Sequence, residues 1–283
     1  MTLNLKKGKY SHPSGKKNAL NDLTGSAWAQ SSKSIMSYED TRSEKQRIHG
    51  ASFPQALVEH QIQIYTKKGQ TVLDPFAGVG TTLDACMSSN RKGIGIEINP
   101  EFVKLAKQDI DKSQKLIQDD IRNISKHIKP NTIDFSVTSP PYANMLHKVQ
   151  KTFAYKWKKY GFKEKKNAKP YSSHPDDIGN LSYEKGLQEL KKVFEDLLVV
   201  TKNDCYSVWV VKDFRDLKNK KPLVNFHSDL INVATEVGWT LSDIRIYDQT
   251  KYRPLVILGL PSRNFYLNIG HSYILVFKKG VLR

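Results

Sequence analysis

The chain has 283 residues, 39% of them hydrophobic, which suits one large domain or two small ones with a buried core. Its 45 Lys and Arg against 28 Asp and Glu leave a net charge of +17, and such a surplus points to a polyanionic partner, with nucleic acid the usual one. Cys86 and Cys205 lack the spacing of a zinc site or a disulfide framework, no apolar run approaches the roughly 18 residues of a membrane span, and the basic N-terminus lacks the apolar stretch of a signal peptide. A reduced, cytoplasmic protein with no metal and no membrane partner is expected.

Residues 1–20 are polar and basic and read as a flexible arm, with residues 21–283 forming the single domain. Pro54 suits a first helical residue, and Leu57, Val58, Ile62 and Tyr65 follow at helical spacing. Gly69 ends that helix. A strand is predicted at 71–73, a helix at 81–88, a strand at 93–96, a helix at 102–110, and strands at 115–118 and 133–137. After a lysine-rich stretch come a helix at 187–200, a strand at 206–211, a helix at 223–237, and strands at 239–247 and 271–277. Strands alternating with helices predict an α/β fold with a mostly parallel seven-stranded sheet. The last two strands have no helix between them and are expected to pair antiparallel at an edge.

Asp74-Pro75-Phe76-Ala77-Gly78-Val79-Gly80-Thr81-Thr82 follows the first of these strands and opens a helix. Ligands in open α/β sheets bind at the carboxyl ends of strands, and Gly78 and Gly80 let backbone approach one closely. Asp74 can hold a cationic group. Glu97, at the end of the next strand, suits ribose hydroxyls. Asp120, after the third, is placed to meet an adenine amino group. Each acid alone is equally a helix cap; the three together favour an adenosyl cofactor.

Asp-Pro-Phe-x-Gly-x-Gly-Thr-Thr resembles the cofactor motif of the amino-methylating DNA methyltransferases of restriction–modification type. Phe53-Pro54-x-x-Leu57-Val58 is similar to a segment that closes over S-adenosylmethionine in that family. The resemblance extends from Asn21-x-Leu23-Thr24 to His271-x-Tyr273-Ile274-Leu275-Val276-Phe277-Lys278. It implies S-adenosylmethionine as cofactor, a Rossmann-like methyltransferase fold, double-stranded DNA as substrate and a cognate restriction endonuclease as partner. The oligomeric state stays open.

Thr138-Ser139-Pro140-Pro141-Tyr142 follows the fourth strand. Two prolines fix φ and remove two N–H donors, leaving rigid carbonyls. The Ser139 hydroxyl and the Pro140 carbonyl can orient an amine, Pro141 stiffens the turn, and Tyr142 can stack on a base. Such a turn reaches only a flipped-out base. The implied reaction is an in-line methyl transfer to the exocyclic nitrogen. Within the family a serine at this place is commoner in cytosine-N4 enzymes, and aspartate or asparagine in adenine-N6 enzymes. Cytosine N4 is therefore favoured, with adenine N6 as the alternative and an RNA or protein amine as a further one.

DNA recognition is assigned to two insertions, at about 143–180 and 249–268. The first carries Lys148, Lys151, Lys156, Trp157, Lys158 and Lys159, lysines for phosphates interleaved with aromatics for bases. The second carries Lys251, Arg253 and Arg263. In the commonest arrangement of this subgroup the catalytic half comes first, whereas here the cofactor half leads. Asp213-Phe214-Arg215 reads equally as a loop salt bridge or as a hold on the flipped base.

Overall fold

The computed structural model describes residues 18–50, 52–142, 177–216, 219–253 and 266–280. Most of the expected basic arm, the lysine–aromatic stretch and residues 254–265 of the second insertion lie outside these.

Eight strands form the main sheet in the order β1-β9-β10-β6-β5-β2-β3-β4. They are β1 (Ile35–Ser37), β2 (Thr71–Asp74), β3 (Lys92–Glu97), β4 (Lys115–Gln118), β5 (Ile133–Thr138), β6 (Thr201–Val211), β9 (Trp239–Asp248) and β10 (His271–Lys279). A separate two-stranded ribbon pairs β7 (Phe214–Asp216) with β8 (Lys221–Val224). In the main sheet β10 alone runs against its neighbours, antiparallel to both β6 and β9.

Period-two alternation sorts the side chains between two cores. On one face Val72, Val208, Val210, Ile274 and Val276 pack with Leu57, Val58 and Ile62 of α3 (Gln55–Tyr65) and with Ala85 and Cys86 of α4 (Thr81–Ser88). On the other, Leu73, Trp209, Val211, Leu275 and Phe277 pack with α6 (Tyr183–Val200) and α7 (Phe226–Val237). Phe194 of α6 stacks on Trp209 at 4.1 Å, and the Trp239 indole N–H donates to the Phe194 carbonyl. The remaining helices are α1 (Gly25–Ser31), α2 (Glu44–His49) and α5 (Pro100–Ala106).

The seven strands read from the sequence are present, and β9 and β10 do pair antiparallel. Their place differs from the one expected. β10 is inserted between β6 and β9, and β1 adds to β9 in parallel, so neither member of the pair is the edge. The reason lies in the burial of β10: Ser272 and Ile274–Phe277 are all buried, a run covered on both faces and therefore suited to an interior strand. Arg245 on β9 secures β1 by donating to the Lys33 and Ser31 carbonyls and to Gln61 Oε1.

Helix limits move for local reasons. Asn99 caps α5 and Pro100 opens it, so the helix begins and ends earlier than the apolar spacing suggests. Ser182 caps α6 at Tyr183, one turn before Leu187. Residues Lys221–Val224 pair as β8, which delays α7 to Phe226.

Candidate active site

The carboxyl ends of β2, β3, β4 and β5 open onto one cavity of about 850 Å³, its mouth included. Phe53, Asp74, Pro75, Phe76, Gly78, Thr81, Glu97, Asp120, Ser139 and Pro141 all line it. The three acids named from the sequence are thereby brought together with the Ser-Pro-Pro turn. Pro54, Gly80, Pro140 and Tyr142 do not line it: Pro54 caps α3, Gly80 caps α4, and Pro140 is buried in the turn.

Asp74 is buried at the end of β2. Its carboxylate accepts from the Phe76 N–H at 3.0 Å, from the Thr138 hydroxyl at 2.6 Å and from the Thr82 hydroxyl. Burial raises its pKa, and the three hydrogen bonds oppose the rise. A carboxylate has about four acceptor sites, so these donors leave about one for a ligand. Asp74 therefore ties the glycine loop, α4 and the end of β5 to one point.

The loop itself depends on left-handed backbone. Gly78 has φ 52° and Gly80 φ 83°, the latter immediately before α4. A Cβ on Gly78 would lie 2.8 Å from His49 Nε2. His49, the last residue of α2, thus covers the loop from above, 4.6 Å from the Phe102 ring. Burial, with Arg42 adding, lowers its pKa to about 4, so the ring is neutral at pH 7. The position of α2 is set by a Ser43–Gln46 capping box, by Gln46 Nε2 donating to Thr81 Oγ1 and by Lys45 bridging Asp84 and Asp109.

Glu97 closes the loop from β3. It accepts from the Gly78 and Asn99 N–H groups, both at 2.8 Å. Burial raises its pKa to about 7, with Asp177 and Asp74 adding to the rise and the two N–H groups opposing it. Asp120 accepts from the Arg122 backbone N–H and holds its guanidinium through both carboxylate oxygens. Its neighbour Asp119 also lines the cavity and bonds His127 at 2.6 Å and Asn123 at 2.8 Å.

His49, Asp119 and Asp177 were not named from the sequence. The Gly50 stop after α2 marks where His49 lies in the chain, but nothing local brings it over Gly78. Asp177 is buried, caps the turn Ile178–Asn180 and lines the cavity.

Beyond Ser139 the chain turns inward at Tyr142. The Tyr142 ring packs 5.5 Å from Phe226, and its hydroxyl bonds the Ser139 side chain and the Lys212 backbone N–H. Burial raises its pKa to about 12. Lys212, just past β6, donates to the Ile269 carbonyl at 2.9 Å; burial and the nearby Arg253 charge lower its pKa to about 8. Asp213 and Arg215 form no salt bridge with each other: Asp213 pairs with His227 Nδ1 at 2.8 Å, and Arg215 donates to the Pro222 and Leu267 carbonyls. Lys251 and Arg253 are exposed. Lys148, Lys151, Lys156, Trp157, Lys158, Lys159 and Arg263 lie outside the described residues. Among the described residues no group of three or more His, Cys, Asp or Glu is arranged to hold a metal ion, and no helix is long and apolar enough to cross a membrane.

Residues 2–108 match a family model described as DNA methylase. The chain is 41% identical over 68 residues to the type II methyltransferase M.HpaI of Haemophilus parainfluenzae, a match covering 24% of this chain and 22% of that protein. It is 36% identical over 78 residues to the DNA adenine methyltransferase YhdJ of Escherichia coli K12, covering 28% and 26%. The chain thus spans about a quarter of the length of these curated relatives. Among solved structures, it is similar to a complex of the Haloferax volcanii Trm112 methyltransferase activator with a methyltransferase, with a TM-score of 0.51 at 12% identity over 85% of this chain and 92% of that one. That likeness concerns the fold. Residues 2–108, which carry Phe53, the Asp74 loop and Glu97, are thus similar in sequence to the DNA methylase family.

Proposed function

We propose that the chain is a DNA methyltransferase that transfers a methyl group from S-adenosylmethionine to an exocyclic amine of a flipped-out base in duplex DNA. The observation that carries this reading is the single cavity joining Asp74, Gly78, Glu97 and Asp120 to Ser139. A nucleoside held by the three acids has its reactive end near a turn rich in acceptors. Bound there, S-adenosylmethionine supplies an activated methyl group.

The residues present fit that cofactor. Gly78 lets the His49 ring pack directly on the loop, where a Cβ would stand 2.8 Å from its Nε2, and both residues line the cavity. Glu97 reaches the cavity as an acceptor for ribose hydroxyls, Phe53 and Phe102 contribute the apolar rim, and Pro54 holds Phe53 at the start of α3. Asp74 is a positioning residue with about one acceptor site left for a methionine ammonium. Asp120 sits in the adenine region, and Pro75, Phe76, Gly80 and Thr81 shape the loop. Ser139 and the Pro140 carbonyl orient the amine, Pro141 stiffens the turn, and Tyr142 stacks on the base once that ring leaves Phe226. Positioning supplies much of the acceleration.

The basic arm 1–20 and the insertions at 143–180 and 249–268 grip the duplex and read its sequence. Cytosine N4 is favoured because the turn begins with Ser139. Adenine N6 is the second reading, supported by the similarity to an adenine methyltransferase. A role beside a cognate endonuclease follows from the similarity to type II methyltransferases.

DNA from cells expressing the chain is digested to nucleosides and examined by mass spectrometry. N4-methylcytosine is expected. N6-methyladenine alone selects the second reading, and the absence of both rejects the function.

A further inference from the structure

We propose that Lys212 and Arg253 together form a two-cation clamp for a phosphate of the DNA strand beside the Ser139–Tyr142 turn. The clamp rests on the DNA-methylation reading and extends it to a specific contact.

Arg253 is carried by the junction between β9 and β10, and Lys212, just past β6, is bonded to the other side of that junction. The Lys212 ammonium donates to the carbonyl of Ile269. The next carbonyl, Gly270, accepts from the Gln249 N–H at 2.8 Å. Gln249 in turn holds Arg253, its backbone carbonyl accepting from the Arg253 N–H and its side chain from the guanidinium at 3.1 Å. Two adjacent carbonyls therefore fix the elements that bear the two cations.

Nearby acids are committed elsewhere. Asp213 accepts from the His227 ring and backbone. Asp248 accepts from the Thr250 N–H and hydroxyl. Among the described residues neither cation meets a carboxylate. A half-buried ammonium bonded to neutral oxygen is a costly arrangement on its own, and burial first, then the Arg253 charge, disfavours its charged form. An anion between the two removes the cost. Lys212 has two ammonium donors beyond the one given to Ile269, and Arg253 has a planar set suited to phosphate oxygens. Arg253 is exposed, so a strand can reach it.

The clamp also touches the turn directly. The Lys212 backbone N–H bonds the Tyr142 hydroxyl, whose other partner is Ser139. A phosphate drawn to Lys212 is therefore the one beside the nucleotide presented to Ser139, and it holds the backbone of the flipped residue in place.

The test uses the full chain saturated with S-adenosylhomocysteine, with binding to a fluorescent mixed-sequence duplex followed between 50 and 200 mM salt, a range in which phosphate contacts dominate affinity. Lys212→Gln and Arg253→Gln should each flatten the log–log salt slope by about 0.9, and the pair by about twice that, as expected for one released counterion per contact. Lys212→Arg and Arg253→Lys keep the wild-type slope. Cofactor affinity by calorimetry stays unchanged in all four, since neither residue lines the cofactor cavity. A double variant with the wild-type slope overturns the clamp, and so does a change of methylated base with the slope unchanged, which would make these residues base readers. A wild-type chain that neither binds nor methylates DNA rejects the underlying function instead, so the two failures are distinguishable.

Discussion

Asp74 on β2 and Thr138 on β5 are joined by a hydrogen bond of 2.6 Å, so the glycine loop and the turn beginning at Ser139 hang from one buried carboxylate. A disturbance at either residue should reach both halves of the site. Thr138→Val removes one donor and leaves Asp74 less satisfied, at a cost of about 1–3 kcal/mol. Turnover should fall more than cofactor affinity, because Phe76 and Thr82 still hold Asp74 on the loop side. Asp74→Asn should impair both together. Calorimetry and steady-state kinetics on the two variants separate these effects.

With Glu97 in the proposed cofactor site, cofactor binding is expected to depend on pH near neutrality. Its pKa is raised to about 7, so between its ordinary value and 7 the folded chain holds a proton that the unfolded chain has lost. Stability from this group is therefore highest in acid and declines as pH rises toward 7. Affinity runs the other way, because the ionised carboxylate is the better acceptor for ribose hydroxyls. Calorimetric titration with S-adenosylmethionine should show tighter binding at pH 8 than at pH 6, and Glu97→Gln should remove most of that difference.

His49 and His60 act in the opposite sense on stability. Burial lowers both to about 4. The unfolded chain takes up protons below about pH 6.5, while these two rings stay neutral until about pH 4. Their contribution is thus present at neutral pH and lost as pH falls through that window. Urea unfolding at pH 7 and pH 5 should show the loss, and His60→Gln should shrink it.

Gly78→Ala carries two penalties: a left-handed φ of 52° and a Cβ 2.8 Å from His49 Nε2. The backbone term is about 1 kcal/mol. The steric term disappears when His49 is shortened. Cofactor affinity should fall sharply in Gly78→Ala and recover in part in the double variant with His49→Ala. Additive losses would show that the ring does not sit over the loop.

Arg245 is buried and bonds three neutral oxygens, two of them on the chain leading into β1. Arg245→Met leaves those acceptors unpaired, and hydrogen bonds from charged groups contribute about 1.5–3 kcal/mol each. A stability loss of several kcal/mol is expected in urea. Hydrogen exchange should rise first in Ile35–Ser37 and in α1.

Much of the site was legible because it is local in sequence. Asp74, Glu97 and Ser139 lie at or just after the ends of apolar strands, and the order of strands and helices places such ends on one edge of a parallel sheet. The inserted position of β10 was foreshadowed by the unbroken apolar run Ile274–Phe277, which suits a strand covered on both faces rather than an edge. What the sequence by itself determined was therefore the strand-end chemistry and the fold class, since both follow from periodicities of two and 3.6 and from turns a few residues long. Only the tertiary structure decided that His49 closes over Gly78, that Asp177 faces Glu97, that Asp74 holds Thr138, and that Lys212 meets the β9–β10 junction. Each of these contacts joins residues separated by tens of positions, and it forms only when packing of the two cores brings distant elements together.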